Sequence, residues 1–271
     1  MCYLTPMNLQ DRVDQYKRRD FQVAEAEILV LIEEAAAAIF ASFPDYFILC
    51  GGSTLVLFYG SPRLSRDLDL FASLSTVPTH GDIEAVVRAT LQPIAEIFGF
   101  GQLDFRKDAD SPDFARYWII ANQRALFSID LTRIGGGVLR SQIVKQTVAN
   151  NPNKTVLTLT PDYLLLQKCE TFLSRRYLKA RDGFDIHLLA TRGARLDVNL
   201  HAHLEDFITM NELDGESIDR RIQSLTPKLC TVELRPVLPP AIFEPLAKDD
   251  FQPIRRSIRT ILSHWLKEST R

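Results

Sequence analysis

Asp67 and Asp69 stand two residues apart in the run Asp67-Leu68-Asp69-Leu70-Phe71. Side chains of a strand alternate faces, so both carboxylates point the same way, roughly 7 Å apart along the backbone, while Leu68 and Leu70 point into a core. Like charges held side by side repel unless a cation lies between them. Oxygen-only donors of this kind suit Mg²⁺, which takes one or two carboxylates together with the phosphates of a substrate. Upstream, an apolar strand-like run at 46–50 meets Gly51-Gly52-Ser53-Thr54, followed by a helix-like segment at 54–59 and a turn with Gly60 and Pro62. A backbone without Cβ can approach a phosphate closely, and free N–H groups at a helix start favour an anion. Ser53 and Thr54 offer hydroxyl donors or the helix N-cap. Each element alone is common; together, in this order, they point to a site for a metal-bound phosphoryl group.

Gly51-Gly52-Ser53 followed by Arg63-x-Ser65-x-Asp67-Leu68-Asp69-Leu70-Phe71 resembles the nucleotidyltransferases of the polymerase-beta superfamily. Within them it is most similar to the AbiEii/AbiGii toxin family of bacterial toxin–antitoxin and phage-defence systems, over about residues 25–195. The resemblance implies an α+β fold: a polymerase-beta-like nucleotidyltransferase core, with a mixed sheet flanked by helices, followed by a mainly helical C-terminal domain. It implies an NTP substrate, two Mg²⁺ ions, and Gly51, Gly52, Ser53, Arg63 and Ser65 at the nucleotide. In the superfamily a third carboxylate comes from a strand beside the Asp-x-Asp strand. Asp130 fits that description, sharing a strand face with Ser128. It would share a second metal and activate the attacking hydroxyl. Asp104, in Leu103-Asp104-Phe105, stays open as the alternative.

The family's later motif is a helix lysine followed by an Arg-Asp-x-aromatic-Asp-aliphatic run. It is matched by Lys168 and by Arg181-Asp182-Gly183-Phe184-Asp185-Ile186. By resemblance, Lys168 meets the nucleotide's phosphates and neutralises charge on the leaving pyrophosphate. Asp182 lies at the nucleotide, and Asp185 holds the lysine, a base or a ribose. Read from residue types alone, the same charges equally make a solvated ion-pair cluster on helix faces. Gly183 inside that helix costs about 1 kcal/mol against alanine and leaves the local geometry of Asp182 open.

The 271 residues carry a net charge of −2, so no global positive field announces a nucleic-acid partner, and a polyanion has to meet a local patch. Arg175, Arg176, Lys179 and Arg181 form such a group, suited to an RNA backbone. The basic residues of a terminal helix at 251–267 read as a solvated face. No run of eighteen apolar residues predicts a membrane span, and 1–16 has no signal-peptide pattern. Cys2, Cys50, Cys169 and Cys230 are scattered, which predicts free thiols in a reducing cytoplasm. No Cys/His cluster suggests zinc, and His201 and His203 read as surface residues.

Helical periodicity predicts one long helix at 11–43 and an amphipathic helix at 82–98 containing Pro93. Between the Asp-x-Asp strand and the second of these helices lies a turn-rich loop at 73–81. Strands are expected at 102–106, 115–121 and 125–131, with an exposed acidic loop at 107–113 and a hairpin turn at 122–124. Gly135-Gly136-Gly137 reads as a mobile loop, and Pro236, Pro239, Pro240 and Pro245 as a stiff extended connector. The expected domains are 1–155, the nucleotidyltransferase core with its N-terminal helix, and 156–271, mainly helical. The expected function is transfer of a nucleoside monophosphate from an NTP to the 3′ end of tRNA by a monomeric toxin with a cognate antitoxin. A protein or small-molecule acceptor, and a catalytically decayed nucleotide-binding regulator, are the alternatives.

Overall fold

Seven strands form one mixed sheet in the order β3-β4-β5-β2-β1-β7-β6. In this computed structural model residues 8–73, 78–134, 140–148 and 153–266 are described. The triple-glycine segment, part of the 73–81 loop, Cys2 and Lys267 lie outside them. The chain divides into two compact units between Leu159 and Thr160.

The first unit opens with helices α1 (Leu9–Lys17) and α2 (Val23–Ser42), then strand β1 (Phe47–Cys50), helix α3 (Gly51–Leu57) and strand β2 (Asp67–Ser73). Helix α4 (His80–Ile97) precedes strands β3 (Leu103–Asp110), β4 (Phe114–Ala121) and β5 (Arg124–Ile134). A short 3₁₀ turn leads into β6 (Ile143–Thr147) and β7 (Thr155–Leu159). β3, β4 and β5 form an antiparallel meander, whereas β2 lies parallel to β5 and β1 parallel to β7. One face of the sheet presents Leu68, Leu70, Ile129 and Leu131 to a core shared with α2 and α4.

The single helix expected at 11–43 is two helices. Asp20 takes φ 66°, and α2 restarts with a capping box between Gln22 and Glu25. Arg12 Nε donates to Glu33 Oε2 at 3.1 Å. Two residues that far apart in a continuous helix would be about 30 Å from each other, so α1 doubles back on α2. The acidic loop expected at 107–113 is mostly strand, because β3 continues to Asp110 along β4. At the β4–β5 turn both Asn122 (φ 48°) and Gln123 (φ 62°) are left-handed, as a tight hairpin turn requires.

Every regular element among the described residues of the second unit is a helix: α5 (Pro161–Ser174), α6 (Ala180–Thr191), α7 (Val198–Met210), α8 (Gly215–Gln223), α9 (Pro227–Leu234), α10 (Pro240–Lys248), α11 (Gln252–Ile261) and α12 (Ser263–Leu266). Side-chain caps mark four of these eight starts. Thr160, Asp197, Asp214 and Thr226 cap the helices that follow them, with Pro161 and Pro227 in first turns. The proline-rich segment is not an extended connector: Pro240 starts α10 and Pro245 lies within it. A proline in the first turn gives up only an N–H that the helix does not use. β7 pairs with β1 and β6, so residues 156–159, which the expected division at 155 assigns to the second domain, lie in the sheet of the first unit. No helix of the described residues is long and apolar enough to cross a membrane.

Candidate active site

The acids of β2 sit on the face of the sheet opposite the core. Asp69 is in register with Asp130 of β5, and Asp67 with Ser128. Ser128 Oγ donates to Asp67 Oδ1 at 3.0 Å. Asp67 and Asp69 are half-buried, while Asp130 is 4% exposed. Asp104 lies on the edge strand β3, exposed and two strands beyond β5.

The two glycines fit against this face from β1. Gly51 has φ +71°, and a Cβ placed on it would fall 1.8 Å from Asp69 Oδ2. A Cβ on Gly52 would lie 2.5 Å from Ser65 Oγ and 2.8 Å from Arg63 Nη2. The glycines therefore make room for the chain's own acid, serine and arginine. Ser53 is fully buried and donates its hydroxyl to the carbonyl of Asp67. Thr54 does not cap α3; its Oγ1 donates to Cys50 O at 2.7 Å, and Cys50 occupies the cap position without a side-chain bond. Arg63 is buried, with Nη1 donating to Leu64 O at 3.2 Å. Both expected hydroxyl donors thus hold the strand–helix–strand corner together.

Arg116, which the sequence reading leaves aside, faces Asp130 directly across β4 and β5. Its Nε donates to Asp130 Oδ1 at 2.9 Å and its Nη2 to Oδ2, a bidentate pair. The hydrogen bonds it donates to Asp130 hold the guanidinium's pKa above its ordinary value. The rings of Phe114 and Trp118, on the same face of β4, lie 5.4 and 5.7 Å from the guanidinium carbon. Counting back from the hairpin turn would set Asp130 opposite Ala115. A bulge in the β4–β5 pairing next to Ile119 and Ile120 shifts the register by one and brings Arg116 there instead.

The donor chemistry fits a hard divalent cation at Asp67 and Asp69, two carboxylates on one face. Asp130, expected as a third ligand, has both oxygens engaged by Arg116, and among the described residues no group of three or more His, Cys, Asp or Glu is arranged to hold a metal ion.

In the second unit, α5 presents Lys168 to Asp182 and Asp185 of α6. Lys168 Nζ lies 2.8 Å from Asp185 Oδ2 and 3.8 Å from Asp182 Oδ1, and Arg175 Nε lies 3.2 Å from Asp182 Oδ2. The Asp185 side chain is 0% exposed and that of Lys168 13%, so this is a buried two-plus-two cluster and not a solvated face. Gly183 lets neighbours press on the helix: a Cβ there would meet Leu225 at 3.1 Å and Ile254 and Ile258 at 3.3 Å. Arg221 donates to the carbonyls of Phe172 and Arg175 and fixes the end of α5. Of the expected RNA contacts, Arg175 is drawn into the Asp182 pair and Lys179 lies 3.4 Å from Glu233. Arg181 is half-buried, and Arg176 is exposed beside the exposed Tyr177.

A mixed sheet with paired acids on its open face, followed by a helical region, is the polymerase-beta-like nucleotidyltransferase fold. The family model described as "Nucleotidyl transferase AbiEii toxin, Type IV TA system" matches residues 35–265, and the chain belongs to that family. It is a nucleotidyltransferase of the polymerase-beta superfamily and uses an NTP, as its family does. Among solved structures it is similar to a candidate nucleotidyltransferase from H. pylori, with a TM-score of 0.53 and 15% identity over 95% of this chain and 99% of that one. It is also similar to MenT4, a nucleotidyltransferase toxin from Mycobacterium tuberculosis H37Rv, with a TM-score of 0.50 and 12% identity over 97% and 99%. At such identities the likeness is one of fold. Curated proteins give no match.

Proposed function

We propose that the chain transfers a nucleoside monophosphate from an NTP to the 3′ end of tRNA, which then can no longer be charged, and that a cognate antitoxin restrains it. The observation that carries the transfer reading is the acid row: Asp69 in register with Asp130, Asp67 on the same face, and Gly51 against Asp69. Asp67 and Asp69 would hold Mg²⁺, whose chemistry when bound is to neutralise the triphosphate and polarise its reacting phosphoryl group. Ser128 orients Asp67 through its hydroxyl. Asp130 is the carboxylate next to Asp69 that would take the proton of the acceptor hydroxyl. Lys168, held by Asp185, is read from the family likeness as the cation that meets the nucleotide's phosphates.

The tRNA acceptor is supported by the family likeness and by Arg176, exposed beside Tyr177. An arginine and an aromatic ring suit a phosphate and a base of a single strand. The test is incubation with each labelled NTP and total tRNA, with Mg²⁺ present or chelated, across a salt series. The expected result is Mg²⁺-dependent label on tRNA that falls steeply with salt, is lost in Asp69→Asn and is weakened in Arg176→Glu. Label on protein or a small molecule, with tRNA unlabelled under all four nucleotides, refutes the acceptor. No label anywhere refutes transfer.

A further inference from the structure

We propose that Arg116 is a resident competitor for the divalent cation: its guanidinium engages both oxygens of Asp130 and has to release that carboxylate before a metal ion can use it. Arg116 thereby sets how tightly the acidic face holds metal. The inference rests on the metal-dependent reading above and adds to it the residue that opposes the metal.

Three acids share this face, and their partners differ in kind. Asp67 accepts one hydrogen bond from a neutral hydroxyl, Ser128, which leaves its charge available to a cation. Asp130 has both oxygens taken by a planar cationic fork. Bidentate arginine–carboxylate pairs are among the stronger hydrogen-bonded contacts, and the guanidinium cannot shed its charge by deprotonating. A metal ion that needs an oxygen of Asp130 therefore has to displace at least one arm of the fork. Arg116 is placed for both states. The Phe114 and Trp118 rings hold it from two sides, and its side chain is 34% exposed against 6% for Asp130, so a released guanidinium meets water at once. Its position follows from backbone register, since Arg116, Asp130 and Asp69 are paired residues on three adjacent strands. The arginine also offsets the repulsion of three carboxylates on one face.

The test is Mn²⁺ binding, with no nucleotide, to the full chain and to Arg116→Gln, Arg116→Lys, Asp130→Asn and the double variant Arg116→Gln/Asp130→Asn, read by electron paramagnetic resonance of free Mn²⁺. Arg116→Gln is expected to bind Mn²⁺ about tenfold more tightly or better, the gain from losing a charge-assisted contact. Arg116→Lys, with one point charge and no fork, is expected between it and the native chain. Against Asp130→Asn alone, the Gln substitution is expected to gain clearly less than in the native chain, since only the guanidinium's through-space effect on Asp67 is left. Arg116→Gln is also expected to melt at a lower temperature without metal and to regain stability on adding Mn²⁺. Equal or weaker Mn²⁺ binding by Arg116→Gln overturns the proposal and leaves the metal-dependent reading standing. Should that variant not fold, Arg116→Lys is judged by the same criterion. Absence of Mn²⁺ binding in every chain overturns both.

Discussion

An alanine at position 51 would carry its Cβ to 1.8 Å from Asp69 Oδ2, 2.5 Å from its Cγ and 2.7 Å from its Cβ. The carboxylate could swing aside, but Asp69 Cβ is fixed to β2 and cannot, so the strand or the start of α3 has to move. Alanine also inherits φ +71°, a left-handed conformation that costs a residue with a Cβ about 1–2 kcal/mol. Forcing a methyl into a filled site adds about 1–3 kcal/mol. The expected loss is then about 3 kcal/mol from the first unit, together with displacement of Asp69 and a fall in nucleotidyl transfer of about 100-fold or more. Gly52→Ala is the control: it clashes with Ser65 Oγ and Arg63 Nη2, its nearest Cβ is that of Ser65 at 3.2 Å against 2.7 Å for Asp69 Cβ at position 51, and its φ is not left-handed, so a smaller loss is expected. The chain has two tryptophans, Trp118 in the first unit and Trp265 in the second. Urea unfolding followed by fluorescence in a Trp265→Phe background therefore reports the first unit alone. A Gly51→Ala chain with the parent's midpoint and turnover would refute the argument.

Lys168→Met would leave the fully buried Asp185 without its lysine, which is expected to cost the second unit about 3–5 kcal/mol; an unchanged urea midpoint by Trp265 fluorescence in a Trp118→Phe background counts against a buried cluster. Gly183→Ala gains about 1 kcal/mol of helix preference and meets three side chains at 3.1–3.3 Å, so net destabilisation is expected, and a higher midpoint would contradict the packing. Burial tends to raise the Glu34 carboxyl, but Lys154, 2.6 and 2.7 Å away, and Arg12 outweigh it and hold the pKa below the ordinary 4.5. A carboxylate so depressed adds stability above its unfolded value, and that contribution is lost as pH falls through the folded one. Acid unfolding of the first unit is thus expected to be less steep below pH 4.5 in Glu34→Gln than in the native chain, and identical slopes would refute the link.

Short-range chemistry is what the sequence displays well. The two-residue repeat at Asp67 and Asp69, with leucines between, needs only strand alternation to put both acids on the open face. Thr160-Pro161, Asp197 and Asp214 announce helix starts through bonds within one turn. The misreadings come from single residues whose effect is not periodic. Asp20 turns left-handed inside an apolar stripe that otherwise continues, so periodicity runs α1 and α2 together. The β4–β5 bulge moves the hairpin register by one residue and makes Arg116, not Ala115, the neighbour of Asp130. What the sequence does not display in the site is the partner of each group: the Ser53 hydroxyl reaches the carbonyl of Asp67, and Asp182 lies beside Arg175 on a helix the sequence does not dock.

The parallel alignment of β2 with β5 governs when the acid row can exist during folding. β3, β4 and β5 make a meander whose pairings join near neighbours in the chain, while Ser128 and Asp67 are 61 residues apart. Closing so long a loop carries an entropic cost that hairpins avoid, so non-local pairing is the slow part of forming such a sheet. On the ribosome β2 emerges well before β5, and until residues 127–131 follow it, Asp67 and Asp69 have no neighbouring strand to fix their spacing to Asp130. A chain released early, before β5, lacks the row altogether. Formation of the acid row is thus tied to the non-local pairing of β2 with β5 and not to either strand alone.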